Sequence, residues 1–213
     1  IREYIRNFIM SKLETNTIDT ISGTNTLQVG DGNVATINLG KSGDTINIPS
    51  GATITNSGTA NNFGGTNTPA FEAFLSSNQN VNDNTITKIQ CNSEIYDTNN
   101  NYDNSSNYRF TPTTAGRYWV YVNLSANVPA LSVTYQIQAD IYKNGASIIR
   151  NKIDLRNNGG SDTSAYAYGA VDMNGSSDYL EFYGILDLTS GQPTIYGSTT
   201  PMFTKFGAYK IIV

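Results

Sequence analysis

The sequence predicts an all-β protein in which a repetitive trimeric β shaft precedes a jelly-roll β-sandwich head. The first observation is a repeat over residues 16–59, whose units open with threonine and an aliphatic residue and start about eight to ten residues apart. The second is a series of longer alternating segments from residue 70 onward, joined by turn residues without helical periodicity. The composition agrees, because only 14% of residues are charged while 14 are Tyr and 8 are Phe.

Residues 1–15 are predicted to form a short N-terminal helix or attachment segment. Ile1, Ile5, Phe8 and Ile9 recur at helical spacing. A helix of this length is marginal in isolation, so a frayed segment is the alternative. The chain does not begin with methionine, and Met10 would make a plausible natural start; whether the residues before it are native is left open.

The repeat at 16–59 is predicted to form the β shaft. Each unit offers only about two large apolar side chains, which is too few for one copy to bury a core. The apolar side chains can be buried in two ways: one chain can coil on itself as a small solenoid, or three chains can intertwine. We favour the trimer. A flexible linker is the alternative, but a linker would not require aliphatic residues at a regular spacing. The predicted trimer core consists of Ile18, Ile21, Leu27, Val29, Ile37, Leu39, Ile46, Ile48 and Ile54.

A hinge at 60–69, marked by Gly64-Gly65 and Pro69, separates the shaft from a head at 70–213. Asn144-Gly145 is the strongest two-residue hairpin signal in the head. Within 134–143, alternation predicts that Tyr135, Ile137, Ala139 and Ile141 face the core and that Gln136, Gln138 and Asp140 face solvent. The predicted strand regions are 71–75, 85–96, 116–125, 134–143, 146–155, 163–173, 178–188 and 203–213.

Composition excludes several classes of function. The chain has no histidine, which removes Ser-His and Cys-His nucleophile pairs and the commonest transition-metal ligand. Its single cysteine, Cys91, is predicted to be a buried hydrophobe. A net charge of −4 without a Lys/Arg cluster argues against nucleic acid and anionic membranes, and no apolar run is long enough to insert into a membrane. We therefore predict no enzyme activity, no catalytic residue and no cofactor.

Carboxylates are the remaining catalytic option, because glycan-cleaving enzymes use Asp/Glu pairs. The candidate pairs are Asp97 with Asp103 and Asp172 with Asp178. Both pairs lie in segments rich in Asn, Gly and Ser, where aspartate normally caps a turn, so we predict turns rather than catalysis. Calcium binding by the loop between Asp97 and Asp103 stays open, although its spacing does not match an EF-hand and no metal is predicted.

The polar segment DTNNNYDNSSN at 97–107 is the candidate receptor loop. It combines an aromatic residue with short amides and hydroxyls, a mixture typical of adaptable recognition surfaces. A solvated turn is the alternative. The candidate contact residues are Asn100, Asn101, Tyr102, Asp103 and Asn104.

Two stretches resemble known families. FTPTTAGRY at 110–118 and FTKFGAY at 203–209, in that order, make residues 70–213 resemble the gC1q/TNF-like trimeric jelly roll in its bacterial and phage versions. Cys91 departs from that pattern, because the family often has an aromatic residue at this position. Separately, SGTNTLQVG at 22–30 and TINIPSGATI at 45–54 resemble repeats in the shafts of marine phage tail-fibre proteins.

These resemblances imply a homotrimeric phage tail-fibre or virion fibre protein at the particle surface, with recognition in the exposed loops of the head. The implied partners are two further copies of the chain, other virion proteins through the N-terminal segment, and a host-surface glycan or protein. A purely structural decoration fibre of the capsid or tail is the alternative. A glycan depolymerase is the third hypothesis.

Overall fold

The computed structural model describes residues 36–58, 67–127, 134–156 and 163–211. The chain divides into two compact units, Ile1–Thr59 and Ala60–Val213. The predicted helix at 1–15 and the shaft positions Ile18, Ile21, Leu27 and Val29 lie outside the described residues. Within the described ranges there is no helix, and hence none long and apolar enough to cross a membrane.

In the first unit, residues 36–58 contain turns and no strand. The Asp44 amide donates to the Lys41 carbonyl at 3.0 Å, and Gly43 adopts a positive φ of 92° that favours glycine. The five predicted core residues in this range are all exposed: Ile37 by 47%, Leu39 by 67%, Ile46 by 59%, Ile48 by 46% and Ile54 by 52%. One chain does not bury these side chains, and their burial between three chains stays a prediction.

The described part of the second unit is built from thirteen strands. In chain order they are β1 (Ala70–Phe74), β2 (Gln79–Asn80), β3 (Thr87–Lys88), β4 (Ser93–Asp97), β5 (Tyr102–Asp103), β6 (Arg109–Phe110), β7 (Gly116–Asn127), β8 (Thr134–Lys143), β9 (Ala146–Asp154), β10 (Ser164–Met173), β11 (Leu180–Leu188), β12 (Thr194–Ile195) and β13 (Lys205–Lys210). Every predicted strand region overlaps an observed strand, and β8 has the predicted bounds.

The strands form two antiparallel sheets. The first sheet has the order β2-β12-β7-β13-β1-β4, with β10 also paired to β7. The second has the order β5-β6-β11-β8-β9, with β3 also paired to β11. The predicted all-β jelly-roll sandwich is thereby confirmed for the described head residues.

An aromatic stack lies at the centre of the core. Phe71 has no exposed surface, and its ring centroid lies 4.5 Å from those of both Tyr102 and Phe110. Phe206 meets Phe71 edge-on at 4.9 Å. Cys91 is fully buried as predicted, and this burial raises the pKa of its thiol. The head therefore has a continuous apolar core between its sheets.

The side-chain assignment predicted for β8 is partly wrong. Ile137, Ala139 and Ile141 are fully buried as predicted, but Tyr135 is 37% exposed. The pairing of β8 with β11 shifts register at this end, which is the signature of a bulge that takes Tyr135 out of the alternation.

The other half of that prediction fails as well, because Gln136, Gln138 and Asp140 are buried rather than exposed. Asp140 accepts hydrogen bonds at 2.7 Å from both Arg150 Nε and Ser147 Oγ of β9. Its other oxygen accepts from Gln138 Nε2 at 2.5 Å. Both oxygens of the Asp140 carboxylate accept hydrogen bonds, and these bonds offset the free-energy cost of burying the charge. Asp140 is therefore buried on the face that alternation assigns to solvent.

We expect Asp140→Ala to lower the free energy of unfolding by about 1–3 kcal/mol, because it leaves the buried Gln138 amide without its acceptor. The control is Asp154→Ala, which removes an exposed ion pair with Arg156 and should produce no measurable change. Urea denaturation of both variants at one protein concentration makes the comparison. Equal effects of the two substitutions would contradict this account of Asp140.

Candidate functional site

The outward face of the first sheet is aromatic. Along β7, Tyr118 and Val120 point into the core, and Trp119 and Tyr121 point outward. The antiparallel register places Tyr168 of β10 opposite Tyr121. Residues opposite one another in a sheet point to the same side, so several strands contribute to one surface. This surface, the aromatic face, comprises Tyr96, Trp119, Tyr121, Tyr166, Tyr168 and Tyr209.

The aromatic face is accessible to solvent in a single chain. Tyr168 is 61% exposed and Tyr166 is 54% exposed, and the ring centroid of Tyr168 lies 5.8 Å from that of Trp119. A contiguous exposed aromatic patch is uncommon on a monomeric protein and is typical of an interaction surface. Tyrosine and tryptophan suit such a surface because they combine a large apolar ring with a polar atom.

A small polar cluster lies within the aromatic face. Glu72 accepts a hydrogen bond from the Tyr121 hydroxyl at 2.6 Å and forms an ion pair with Lys205 Nζ at 3.0 Å. The pKa of Tyr121 is raised, first by burial and then by its hydrogen bond to Glu72 and by the charge of that carboxylate. Gly207 permits this packing, since a Cβ there would lie 2.4 Å from the Tyr121 ring. The Glu72 charge is already paired, so covering the face would not leave it unpartnered.

A concave pocket lies where β7 ends and β10 begins. We call it the terminal pocket, and its volume is about 640 Å³. The rings of Tyr196 and Phe203 stack with centroids 4.4 Å apart and planes 24° from parallel. The hydroxyls of Ser125 and Ser164 lie 2.7 Å apart. The described lining residues are Ser125, Ala126, Thr163, Ser164, Tyr166, Tyr196 and Phe203.

One of the five residues predicted as receptor contacts, Tyr102, lies in the core rather than at the surface. Tyr102 is only 6% exposed, stacks on Phe71, and donates its hydroxyl to the Cys91 carbonyl at 2.8 Å. Burial is also the largest cause of the raised pKa of Tyr102. The inclusion of Tyr102 among surface contacts is therefore corrected.

The other four residues of that loop lie closer to solvent. Asn100 is exposed and adopts a positive φ of 51°, which asparagine tolerates. Asn101 and Asn104 are half-exposed, and Asn101 Oδ1 accepts from the Thr113 amide at 3.1 Å. Asp103 is also half-exposed, and its carboxylate accepts from the amides of residues 105–107. A receptor contact at this loop would therefore depend mainly on Asn100 and Asn104.

The four candidate carboxylates all have protein partners. Asp97 accepts from the amides of Asn99 and Tyr102, as a turn-capping aspartate does. The backbone amide of Ser106 is the largest of several donors that lower the pKa of Asp103.

The second pair of carboxylates forms ion pairs. Asp172 pairs with Arg117 at 2.8 Å, and Asp178 pairs with Lys143 at 2.9 Å. These pairs lower the pKa of both carboxylates, in each case chiefly through the side-chain hydrogen bond to the basic partner. Across the part of the chain that the structure describes, no group of three or more acidic or cysteine side chains could hold a metal ion.

The sequence contains a signal for the aromatic face but not for the terminal pocket. The alternation of β7 does predict that Trp119 and Tyr121 share one face of the strand. The terminal pocket has no comparable signal, since Ser125, Tyr166 and Phe203 lie on separate stretches of the chain.

Comparison with known proteins gives likenesses of fold alone. No protein-family model and no curated protein matches the chain. Among solved structures, the chain is similar to murine APRIL at pH 8.0, with 12% identity, a TM-score of 0.47, and coverage of 67% of this chain and 98% of that one. It is also similar to Eiger TNF from S. frugiperda, with 11% identity, a TM-score of 0.46, and coverage of 67% and 91%.

Proposed function

We propose that the chain is a non-enzymatic homotrimeric fibre protein of a virus particle, with a head that attaches to a glycan or protein on the host surface. The observation that carries the proposal is the aromatic face, which one chain leaves open to solvent. A second copy of the same chain is the occupant we assign to it. Aromatic rings around an internally paired Glu72 have the composition of a subunit interface.

The first unit supports self-association independently. Its described aliphatic residues, such as Leu39 and Ile46, are exposed in one chain although their spacing follows the repeat. Burying them requires other copies of the repeat, as in an intertwined shaft. Each unit, taken separately, thus carries apolar surface that association of identical chains would cover.

We base the fibre role on the order of the sequence, in which a short repeat precedes a β-sandwich head. In this proposal the N-terminal segment at 1–15 binds other virion proteins, and the protein lies on the outer surface of the particle as a tail or capsid fibre. Three heads on one fibre would bind a surface with more avidity than one head, so weak individual contacts suffice. The resemblance of the repeat to phage shafts favours a bacterial host.

A loop variant tests the attachment function. We expect Asn100→Gly combined with Asn104→Ala to reduce adsorption of the labelled protein to bacterial cells at least about tenfold, because multivalent attachment multiplies the loss at each head. Asn100→Gly preserves the backbone, since its φ of 51° suits glycine. The measurement is binding of the fluorescent protein to a panel of bacterial strains.

The control for that experiment is Gln90→Ala, which removes an exposed amide outside the loop. It should leave adsorption unchanged. If a strain binds the parent protein and both variants equally, the loop is not the receptor contact.

The alternative is a decoration fibre of capsid or tail without a receptor. The burial of Tyr102 favours it, because the loop then presents fewer side chains to a partner than its sequence suggests. Absence of binding to any strain, together with an intact trimer, would support this alternative.

A further inference from the structure

One row of side chains crosses the outer face of the second sheet. Arg150 of β9 lies opposite Asp140 of β8, and Asp140 lies opposite Tyr183 of β11. Tyr183 in turn lies opposite Lys88 of β3. Residues opposite one another point to the same side of a sheet, so these side chains form one surface, which we call the outer row. Neighbouring strands lie about 4.8 Å apart, so the outer row is about 14 Å long.

At each end of the outer row, a basic side chain covers a buried carboxylate. The side chain of Asp140 is fully buried, and that of Arg150, which donates to it through Nε at 2.7 Å, is 53% exposed. At the other end, Lys88 Nζ lies 2.5 Å from the Glu181 carboxylate, and their side chains are 29% and 7% exposed. The basic group is the more exposed partner in both pairs. The surface therefore presents positive charge to solvent, and the negative charge lies beneath it.

Arg150 differs from the other arginines that pair with aspartate in the described part of the chain. Arg117 and Arg156 each bind their aspartate through both Nε and Nη2. Arg150 bonds to Asp140 through Nε alone, and among the described residues no acceptor bonds to its two terminal nitrogens. The buried carboxylate thus fixes the guanidinium and leaves a pair of N–H donors, the arrangement that binds a carboxylate in bidentate geometry.

Aromatic rings lie between the two basic groups. The ring centroids of Tyr142 and Tyr183 are 4.2 Å apart, and both side chains are half-buried. Lys88 Nζ lies 5.7 Å from the centroid of the Tyr183 ring. An aromatic ring beside a fixed guanidinium suits a ligand that has both an apolar C–H face and a carboxylate. A sugar acid combines these two features in one ring.

The outer row would stay accessible in the proposed trimer. The aromatic face belongs to the first sheet, so a second copy that covers it leaves the outer face of the second sheet open. The outer row also adjoins the candidate receptor loop, because Lys88 Nζ donates to the carbonyl of Asn107, the last residue of that loop, at 3.1 Å. A ligand bound at the loop could therefore extend across the sheet.

We propose that the outer row is a binding site for an acidic saccharide. Its carboxylate accepts two hydrogen bonds from the terminal nitrogens of Arg150, and a sugar ring lies against Tyr142 or Tyr183. Lys88 stays paired with Glu181 and contributes only its charge. This inference rests on the proposed attachment function, and it names the chemical class of the receptor.

The test is isothermal titration calorimetry on the full chain. The probes are the trisaccharides of D-galacturonic acid and of N-acetylneuraminic acid, each compared with its methyl ester, which keeps the sugar and removes the charge. We expect at least one acid to bind, and its ester to bind at least about tenfold more weakly. Probes of this size occupy one head, so the affinity per site does not depend on avidity.

Matched variants locate the site. Arg150→Lys keeps a positive charge beside the buried Asp140 but loses the pair of N–H donors, and it should weaken binding about tenfold. Arg117→Lys makes the same change at an arginine whose side chain is 54% exposed, and it should leave binding unchanged. Tyr183→Ala, which leaves the hydrogen bonds of Asp140 in place, should also weaken binding. Circular dichroism on every variant confirms that it still folds.

The outcomes separate this inference from the proposed attachment function. Binding of neither acid, equal binding of acid and ester, or equal effects of Arg150→Lys and Arg117→Lys would overturn the saccharide site. Tighter binding of a triglutamate peptide than of either acid would also overturn it and favour an acidic protein as the partner. Adsorption of the parent protein to bacterial cells is measured separately. Adsorption without acid binding leaves the attachment function standing, and acid binding through Arg150 without adsorption supports the site and contradicts the attachment function.

Discussion

Substitution of Phe71 by alanine is expected to lower the free energy of unfolding by about 3–5 kcal/mol. Phe71 is fully buried between Tyr102 and Phe110, and Phe206 meets its edge. Its removal leaves a cavity that the two flanking rings cannot fill and eliminates three aromatic contacts. Chemical denaturation at fixed protein concentration measures the effect, since the proposed association would make stability concentration-dependent.

Tyr135→Ala is the matched control for Phe71→Ala, since it also truncates an aromatic ring but at a site 37% exposed. We expect its effect to stay within about 0.5 kcal/mol, as for most surface substitutions. A loss below about 1 kcal/mol for Phe71→Ala would show that the aromatic stack is not central to the stability of the head.

Substitution of Tyr168 by aspartate is expected to dissociate the proposed trimer. Tyr168 is 61% exposed in one chain, so the change should leave the fold of that chain intact. In an interface built on the aromatic face, it would bury an unpaired carboxylate opposite Tyr121. We expect the concentration for half-dissociation to rise at least about 100-fold, which sedimentation velocity measures across a dilution series.

Tyr135→Asp controls for the added charge. It makes the same chemical change at an exposed tyrosine of the second sheet. This variant should sediment as the parent protein does. If Tyr168→Asp associates as tightly as Tyr135→Asp, the aromatic face is not the interface.

Much of the head could be predicted from the sequence because the signals are local. Alternation in β7 and β8 identifies their strands, and the Asn144-Gly145 turn has the positive φ angles that a two-residue hairpin requires. The burial of Gln138 and Asp140 could not be predicted in the same way. It depends on Arg150 and Ser147 of the neighbouring strand, and therefore on cross-strand register.

The candidate site was less predictable for the same reason. Tyr102 lies in a polar segment that reads as a solvated loop, but its ring packs on Phe71, which is distant in sequence. The alternation of β7 predicts that Trp119 and Tyr121 share one face of the strand. Only the register of β10 and β13 brings Tyr168 and Tyr209 beside them.

The most direct test of the central proposal is the mass of the full chain in solution. Sedimentation equilibrium over a wide concentration range should give a species of about three times the 23.1 kDa chain mass, stable on dilution. A species of 23.1 kDa at every concentration would contradict self-association. It would leave both the exposed aromatic face and the exposed aliphatic residues of the repeat without the partner that we assign to them.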